Sequence, residues 1–279
     1  MTVFAFVSFA GSPGVTTAAL AVAVHWPRPV IVFEAEIANA TSAMAGFFRS
    51  NLRPDSGGLD KVAVAYSRNV LIWQDLVDPT RGLAIAVHEL PRIDEAPIPA
   101  LPEGHRMWVV PGFYRLGIVD GVRGMWARFP HLFRALSESG FDVIVDLGRI
   151  AYEDIRLPIL DGADRVIAFA ASTMVDLNRV YRRLDLPDLA GRLEGVGRAE
   201  KYRMVLIESR YEAITRHAFV QHIMPVLGEL PFDPGGAAVF SLGSADGKPQ
   251  RNLYRQAIRR LVSTIDAQAG SDLDQEAVS

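Results

Sequence analysis

The sequence predicts an α/β fold: a mainly parallel sheet covered by helices on both faces. Three observations carry this. Near-continuous apolar runs rich in Val, Ile and Phe recur at Val3–Phe9, Pro29–Phe33, Arg106–Val110, Phe141–Asp146, Arg165–Phe169, Met204–Ile207 and Val226–Leu230. Runs with no polar alternation are what strands buried on both faces require. Between several of them lie helical patterns, at Thr16–Val24, Trp126–Ser139, Thr173–Leu184, Ile214–Ile223 and Arg251–Ile265. Strand and helix in alternation predict parallel pairing with helical crossovers. Finally, the first strand runs into a Gly-rich turn and then a helix, the outline of a phosphate-binding loop.

Composition sets the frame. The chain has 279 residues, 49% hydrophobic and 22% charged, with a formal net charge of −3. Such a chain buries a substantial core without staples. Its global charge makes no case for nucleic acid as a partner, which leaves only local basic patches. There are no cysteines, which excludes disulfides, thiolate metal sites and cysteine nucleophiles. No apolar run reaches the length of a membrane span. The first apolar run has no basic residue before it and reads as a strand rather than a signal peptide. The expected location is cytoplasmic, with membrane contact peripheral at most.

Each element has its own reason. In "FAGSPGVTTAALAVA", Gly11 and Gly14 free the backbone for a tight turn and Pro13 stiffens it. Thr16 and Thr17 open a helix whose N–H groups face the turn, a natural anion site. In phosphate loops a lysine follows the last glycine and the next Ser or Thr binds Mg²⁺. Here Val15 holds the lysine position and Thr16 the metal position. The segment from Ser50 to Glu103 is less regular. Its "PRIDEAPIPALPEG" has four prolines and reads as a surface connection, while "GLAIAVHEL" reads as an extra strand. No second domain is evident: residues 1–268 are expected to form one domain and 269–279, "GSDLDQEAVS" with the residue before it, an acidic flexible tail.

Other candidates are weaker. The six histidines show no metal-ligand spacing. "RVYRRL", Arg179 to Leu184, reads as a solvated helix face. In "RNLYRQAIRRLVSTID", Leu253, Ala257, Leu261 and Ile265 form an apolar row that is expected to pack on the body. Arg251, Arg255 and Arg259 form a second row. A membrane-targeting helix is the other reading of this stretch, and the acidic residues after it argue against an anionic surface.

The motifs together resemble the ParA/MinD family, whose deviant phosphate loop is written lysine-Gly-Gly-x-Gly-lysine-Thr-Thr. Gly11, Gly14, Thr16 and Thr17 match that loop. Ser12 replaces a glycine, Ala10 stands at the signature lysine that reaches the partner subunit's phosphates, and Val15 stands at the loop lysine. "VIVFEAEIANAT" is similar to the second strand of the family, with Glu34 and Glu36 at its two acidic positions. The second acid places the attacking water in the family, which makes Glu36 the candidate catalytic residue. Only one of the two is expected to face the loop. "FDVIVDLGRI" resembles the Walker B strand, with Asp146 beside Mg²⁺. Pro231, Phe232 and Asp233 resemble the late loop that packs on adenine. Glu208 stands near the position of an adenine-recognising Asn.

This resemblance implies a three-layer P-loop NTPase fold. It also implies ATP or ADP with Mg²⁺ as cofactor, held by Gly11, Ser12, Pro13, Gly14, Val15, Thr16 and Thr17, with Thr16 and Asp146 at the metal. It implies a protein partner and a homodimer. With both lysines absent, hydrolysis is expected to be weak or nil unless an arginine substitutes, Arg149 and Arg210 being the candidates. The pattern is similar to diverged members attached to pilus and secretion systems, such as TadZ/CpaE-like proteins. The expected role is a regulator that positions a partner. A competent ATPase using arginine and a nucleotide-free scaffold are the alternatives.

Overall fold

The structure is a computed structural model that describes residues 1–11, 13–53, 56–90, 99–193, 198–211, 213–245 and 247–276. Ser12 and much of the Pro-rich connection therefore lie outside the described residues. The chain begins with β1 (Val3–Ser8), α1 (Val15–Val24) and β2 (Val30–Glu34), then a π-helical turn at Ala43–Phe47. α2 (Leu59–Ser67), α3 (Trp73–Val77), β3 (Ile85–Ala86) and β4 (Met107–Val110) follow. Next come α4 (Met125–Glu138), β5 (Asp142–Arg149), α5 (Leu157–Gly162), β6 (Arg165–Ala171), α6 (Met174–Leu184), α7 (Pro187–Leu193) and α8 (Arg198–Lys201). β7 (Tyr202–Ile207), α9 (Arg216–His222), β8 (Val226–Leu230), α10 (Pro234–Ser241) and α11 (Leu253–Glu276) complete it.

The eight strands form one sheet in the order β3-β4-β2-β5-β1-β6-β7-β8. All pairs are parallel except β3 with β4. All seven apolar runs are strands, and the extra strand is the short antiparallel edge β3. Successive side chains of β1 enter different cores, because strand residues alternate between faces. Val3, Ala5 and Val7 face a core with residues of α2, α4, α5 and α9. Phe4 and Phe6 face a core with α1, α10 and α11. Both faces are therefore covered, which is why the strands read as continuous apolar runs.

The helix α1 is nearly all Ala, Val and Leu and is buried along its length. Small side chains let it lie close over the sheet centre. The last helix departs from expectation. α11 runs to Glu276, through most of the residues expected to form a flexible tail. Its buried face is Ala257, Ile258, Leu261, Val262 and Ile265, whereas Leu253 is exposed. Arg255 leaves the expected basic row: it is buried, with its guanidinium 5.5 Å from the Phe240 ring centre. Among the described residues no helix is long and apolar enough to cross a membrane.

Candidate functional site

The parallel strands all point their C-terminal ends to one rim, where ligands bind in open α/β sheets. β1 and β5 lie side by side there, with β2 next to β5. The register pairs Phe6 with Asp146, and Glu34 with Asp146. Beyond that point β5 carries one extra residue, since Ser8 pairs with Arg149. This bulge turns on Gly148, whose φ is 55°, and a Cβ there would fall 1.9 Å from a Glu36 carboxylate oxygen. Bulges of this kind re-aim side chains beside sites. Here the bulge lets Glu36 close over β5.

The loop after β1 ends at Gly14, which has φ 95° and caps α1 without a side chain. The first-turn N–H groups of α1 therefore face the loop, an arrangement suited to an anion. The two positions that would carry cations hold Ala10 and Val15, 7% and 4% exposed. Val15 belongs to the apolar core under α1.

Acids converge opposite the loop. Asp146 is fully buried; one oxygen accepts the N–H of Gly148 at 2.9 Å, and Oδ2 has no hydrogen-bond partner. Burial pushes its pKa up to about 7; Glu34 and Glu36 add to the rise, while the Thr16 side chain and the Gly148 N–H oppose it. Thr16 and Asp146 are thus brought together. An unpartnered buried carboxylate oxygen beside a threonine hydroxyl fits a Mg²⁺ ion. Among the described residues, no three His, Cys, Asp or Glu side chains form a metal cluster by themselves.

Both glutamate charges raise the Asp146 pKa. Their environments differ. Glu34 is buried and accepts N–H groups of Ser42 at 2.5 Å, Ala43 at 3.1 Å and Gly112 at 2.7 Å, and the Thr41 hydroxyl. Burial raises its pKa against those four bonds. It is a clamp that ties two loops to β2. Glu36 is half-buried and accepts N–H groups of Ala38 at 2.6 Å and Arg149 at 3.2 Å.

One arginine here carries no sequence signal. Arg156 is 2% exposed and makes five bonds: to the carbonyls of Ala35, Leu147 and Arg149, and twice to Asp154. A guanidinium has five N–H donors, so all are spent, three on carbonyls at the ends of β2 and β5 and two on Asp154. It offers nothing to a phosphate. The arginines singled out from sequence differ: Arg149 is exposed and starts beside Ser8, while Arg210 is exposed and stands over the Phe232 ring at 5.7 Å. Asp233 caps α10 by accepting the Gly236 N–H at 2.9 Å. Pro231 and Phe232 precede it at the end of β8, with Phe232 half exposed.

No family model and no curated protein sequence matches the chain. Solved structures do. A ParA family ATPase from Chlorobium tepidum superposes with a TM-score of 0.66 at 14% identity, over 94% of this chain and 97% of that one. The septum site-determining protein MinD from Pyrococcus horikoshii, complexed with Mg-ADP, gives 0.65 at 14% identity, over 96% and 97%. A chain of the MinC:MinD cell division protein complex of Aquifex aeolicus gives 0.55 at 13% identity, over 96% of each chain.

Proposed function

We propose that this chain, whose fold is that of the ParA/MinD ATPases, is a regulator that positions a protein partner and has weak or absent ATPase activity. The observation that carries this is the pair Ala10 and Val15, apolar and buried where the loop's cations belong. The acids opposite remain. A charge-assisted bond contributes about 1.5–3 kcal/mol, so each missing lysine weakens phosphate binding by roughly one to two orders of magnitude. Transition-state charge in phosphoryl transfer depends on such cations even more.

The α1 N-terminus and the loop amides would hold the phosphates of ATP or ADP, and Thr16 with Asp146 would hold Mg²⁺. When bound, Mg²⁺ neutralises phosphate charge. The chain's own part is to present those groups and, through Glu34, Glu36 and Arg156, to fix the strand ends around them. The solved MinD carrying Mg-ADP and the MinC:MinD complex support a nucleotide-linked, partner-binding role. The partner belongs to a localised machinery, of pilus or secretion, division or partition type. The apolar face of α11 is spent on the sheet, which supports membrane contact only through that partner.

Arg149 favours a second reading. Exposed and next to the start of the loop, it could supply the missing cation to a competent ATPase. Calorimetric titration with Mg-ATP and Mg-ADP, followed by phosphate release, separates the readings. Weak binding without turnover supports the regulator; tight binding with turnover that is lost in Arg149→Ala supports the second reading.

A further inference from the structure

Away from the loop, at the β3 edge of the sheet, lies a groove of about 650 Å³. None of its lining residues belongs to the phosphate loop or to the acids facing it. One wall is a face of α2, Lys61, Val64 and Ala65, continued by Arg68 just past its end, at helical spacing. Across from it stand Arg81, Leu83, Tyr114 and Arg115.

The walls are fixed to one another. Gly58 N–H bonds to the carbonyl of Leu83 at 2.9 Å, and Leu59 N–H to that of Pro111 at 2.8 Å. Asp60 accepts the Tyr114 N–H at 2.6 Å. At its other end α2 closes with Asn69 at φ 54°, Asn69 N–H bonded to Tyr66 O at 2.9 Å and Val70 N–H to Ala65 O at 3.1 Å. That is a Schellman ending with Asn in the left-handed position. The residue after it ordinarily packs back on the helix, yet Val70 is 57% exposed at the groove. A preformed site of this kind loses little entropy on binding.

Its chemistry is mixed. Val64, Val70 and Tyr114 are exposed apolar surface, and Ile72 and Leu116 are exposed nearby in the chain. Four basic residues, Lys61, Arg68, Arg81 and Arg115, line it with two acids, Asp60 and Asp75. Arg81 pairs with Asp75 at 3.1 Å and Arg115 with Asp60 at 3.3 Å. Among the described residues Lys61 and Arg68 have no ion-pair partner, which leaves the groove two positive charges in excess.

We propose that this groove docks a peptide segment of a protein partner that carries Asp or Glu beside an apolar anchor. The anchor lies against Val64, Val70 and Tyr114, and the carboxylates meet Lys61 and Arg68. A nucleic-acid backbone fits less well, because its evenly spaced phosphates would fall against Asp60 and Asp75. The inference deepens the partner-positioning reading and rests on it only for the role of the partner.

The test is a random peptide library displayed on phage and selected against the full chain without nucleotide. Selected peptides should pair acids with Leu, Phe or Trp. A labelled synthetic copy should bind about tenfold or more weaker to the Lys61→Glu, Arg68→Glu double variant, the size expected from reversing two charges at the surface. Thermal melting checks that the variant is folded, and the exposed Arg68→Glu change alone, tested beside it, should weaken binding in the same direction. Selected peptides without acidic bias, or binding indifferent to the reversals, would overturn the proposal. So would a labelled single-stranded DNA that binds the wild type and is lost on reversal. Vigorous ATP turnover would overturn the earlier reading and leave this one standing; loss of acidic selectivity would do the opposite.

Discussion

The carboxylate of Glu36 accepts the backbone N–H of Arg149 at 3.2 Å, lacing the chain after β2 to the bulged end of β5. Its other oxygen accepts the Ala38 N–H. Each oxygen takes one backbone N–H, so Glu36 acts as a strut across the strand ends. Glu36→Ala should lower unfolding stability by about 1–2 kcal/mol, the usual loss for such bonds. Phosphate release should stay at the wild-type level. Urea denaturation and a release assay check the two halves; a drop in turnover would restore a catalytic role to Glu36.

Glu34 should be far less tolerant. Removing its carboxylate leaves three backbone N–H groups and the Thr41 hydroxyl without their acceptor in a buried place. Each unsatisfied donor costs about 1–3 kcal/mol, so Glu34→Ala should cost roughly 3 kcal/mol or more. A denaturation midpoint close to wild type would show that the loops find other acceptors.

The contrast between these two acids shows what a sequence can and cannot carry. Seven strands were legible because burial on both faces leaves an unbroken apolar run. Thr16 and Asp146 were legible because motif spacing survives in "GVTT" and "VIVDLG". The β5 bulge was not, since one extra residue in a buried strand changes no periodicity. That bulge is why Glu36 closes over the end of β5. Arg156 was invisible because its partners are mostly backbone carbonyls, which any sequence supplies. α2 and α3 were missed because they are short and partly exposed, so no long apolar stripe marks them.

Val15→Lys should raise affinity for Mg-ATP about tenfold or more, by one charge-assisted bond. Val15 is buried, but a lysine stem can follow the apolar path and bring its ammonium to the loop. Turnover should not reach that of a competent ATPase, because Ala10 still leaves the cross-subunit cation missing. Unchanged affinity by calorimetry would mean the loop no longer admits phosphate; rapid turnover would refute the account of Ala10.

Acid should destabilise the fold partly through His25. Burial first, and then the charges of Arg255, Arg259 and His105, lower its pKa to about 3. The unfolded chain protonates this histidine below about pH 6.5, while the folded chain does not until about pH 3. The unfolded state then binds more protons, so stability falls as pH falls through that window. His25→Gln should remove roughly 1–2 kcal/mol of the loss between pH 7 and pH 5. Equal pH slopes for both proteins in urea titrations would show that His25 is neutral in neither state by constraint.

The central claim is that losing both cations has uncoupled this fold from its nucleotide. A ligand shifts an assembly only by its differential affinity for the two states. With Ala10 at the signature position, Mg-ATP has little to add to a face-to-face pair. Sedimentation velocity of the wild-type chain, with and without Mg-ATP, measures this directly. The account predicts the same species in both, a monomer or a dimer that needs no nucleotide. A nucleotide-driven shift from monomer to dimer would contradict it.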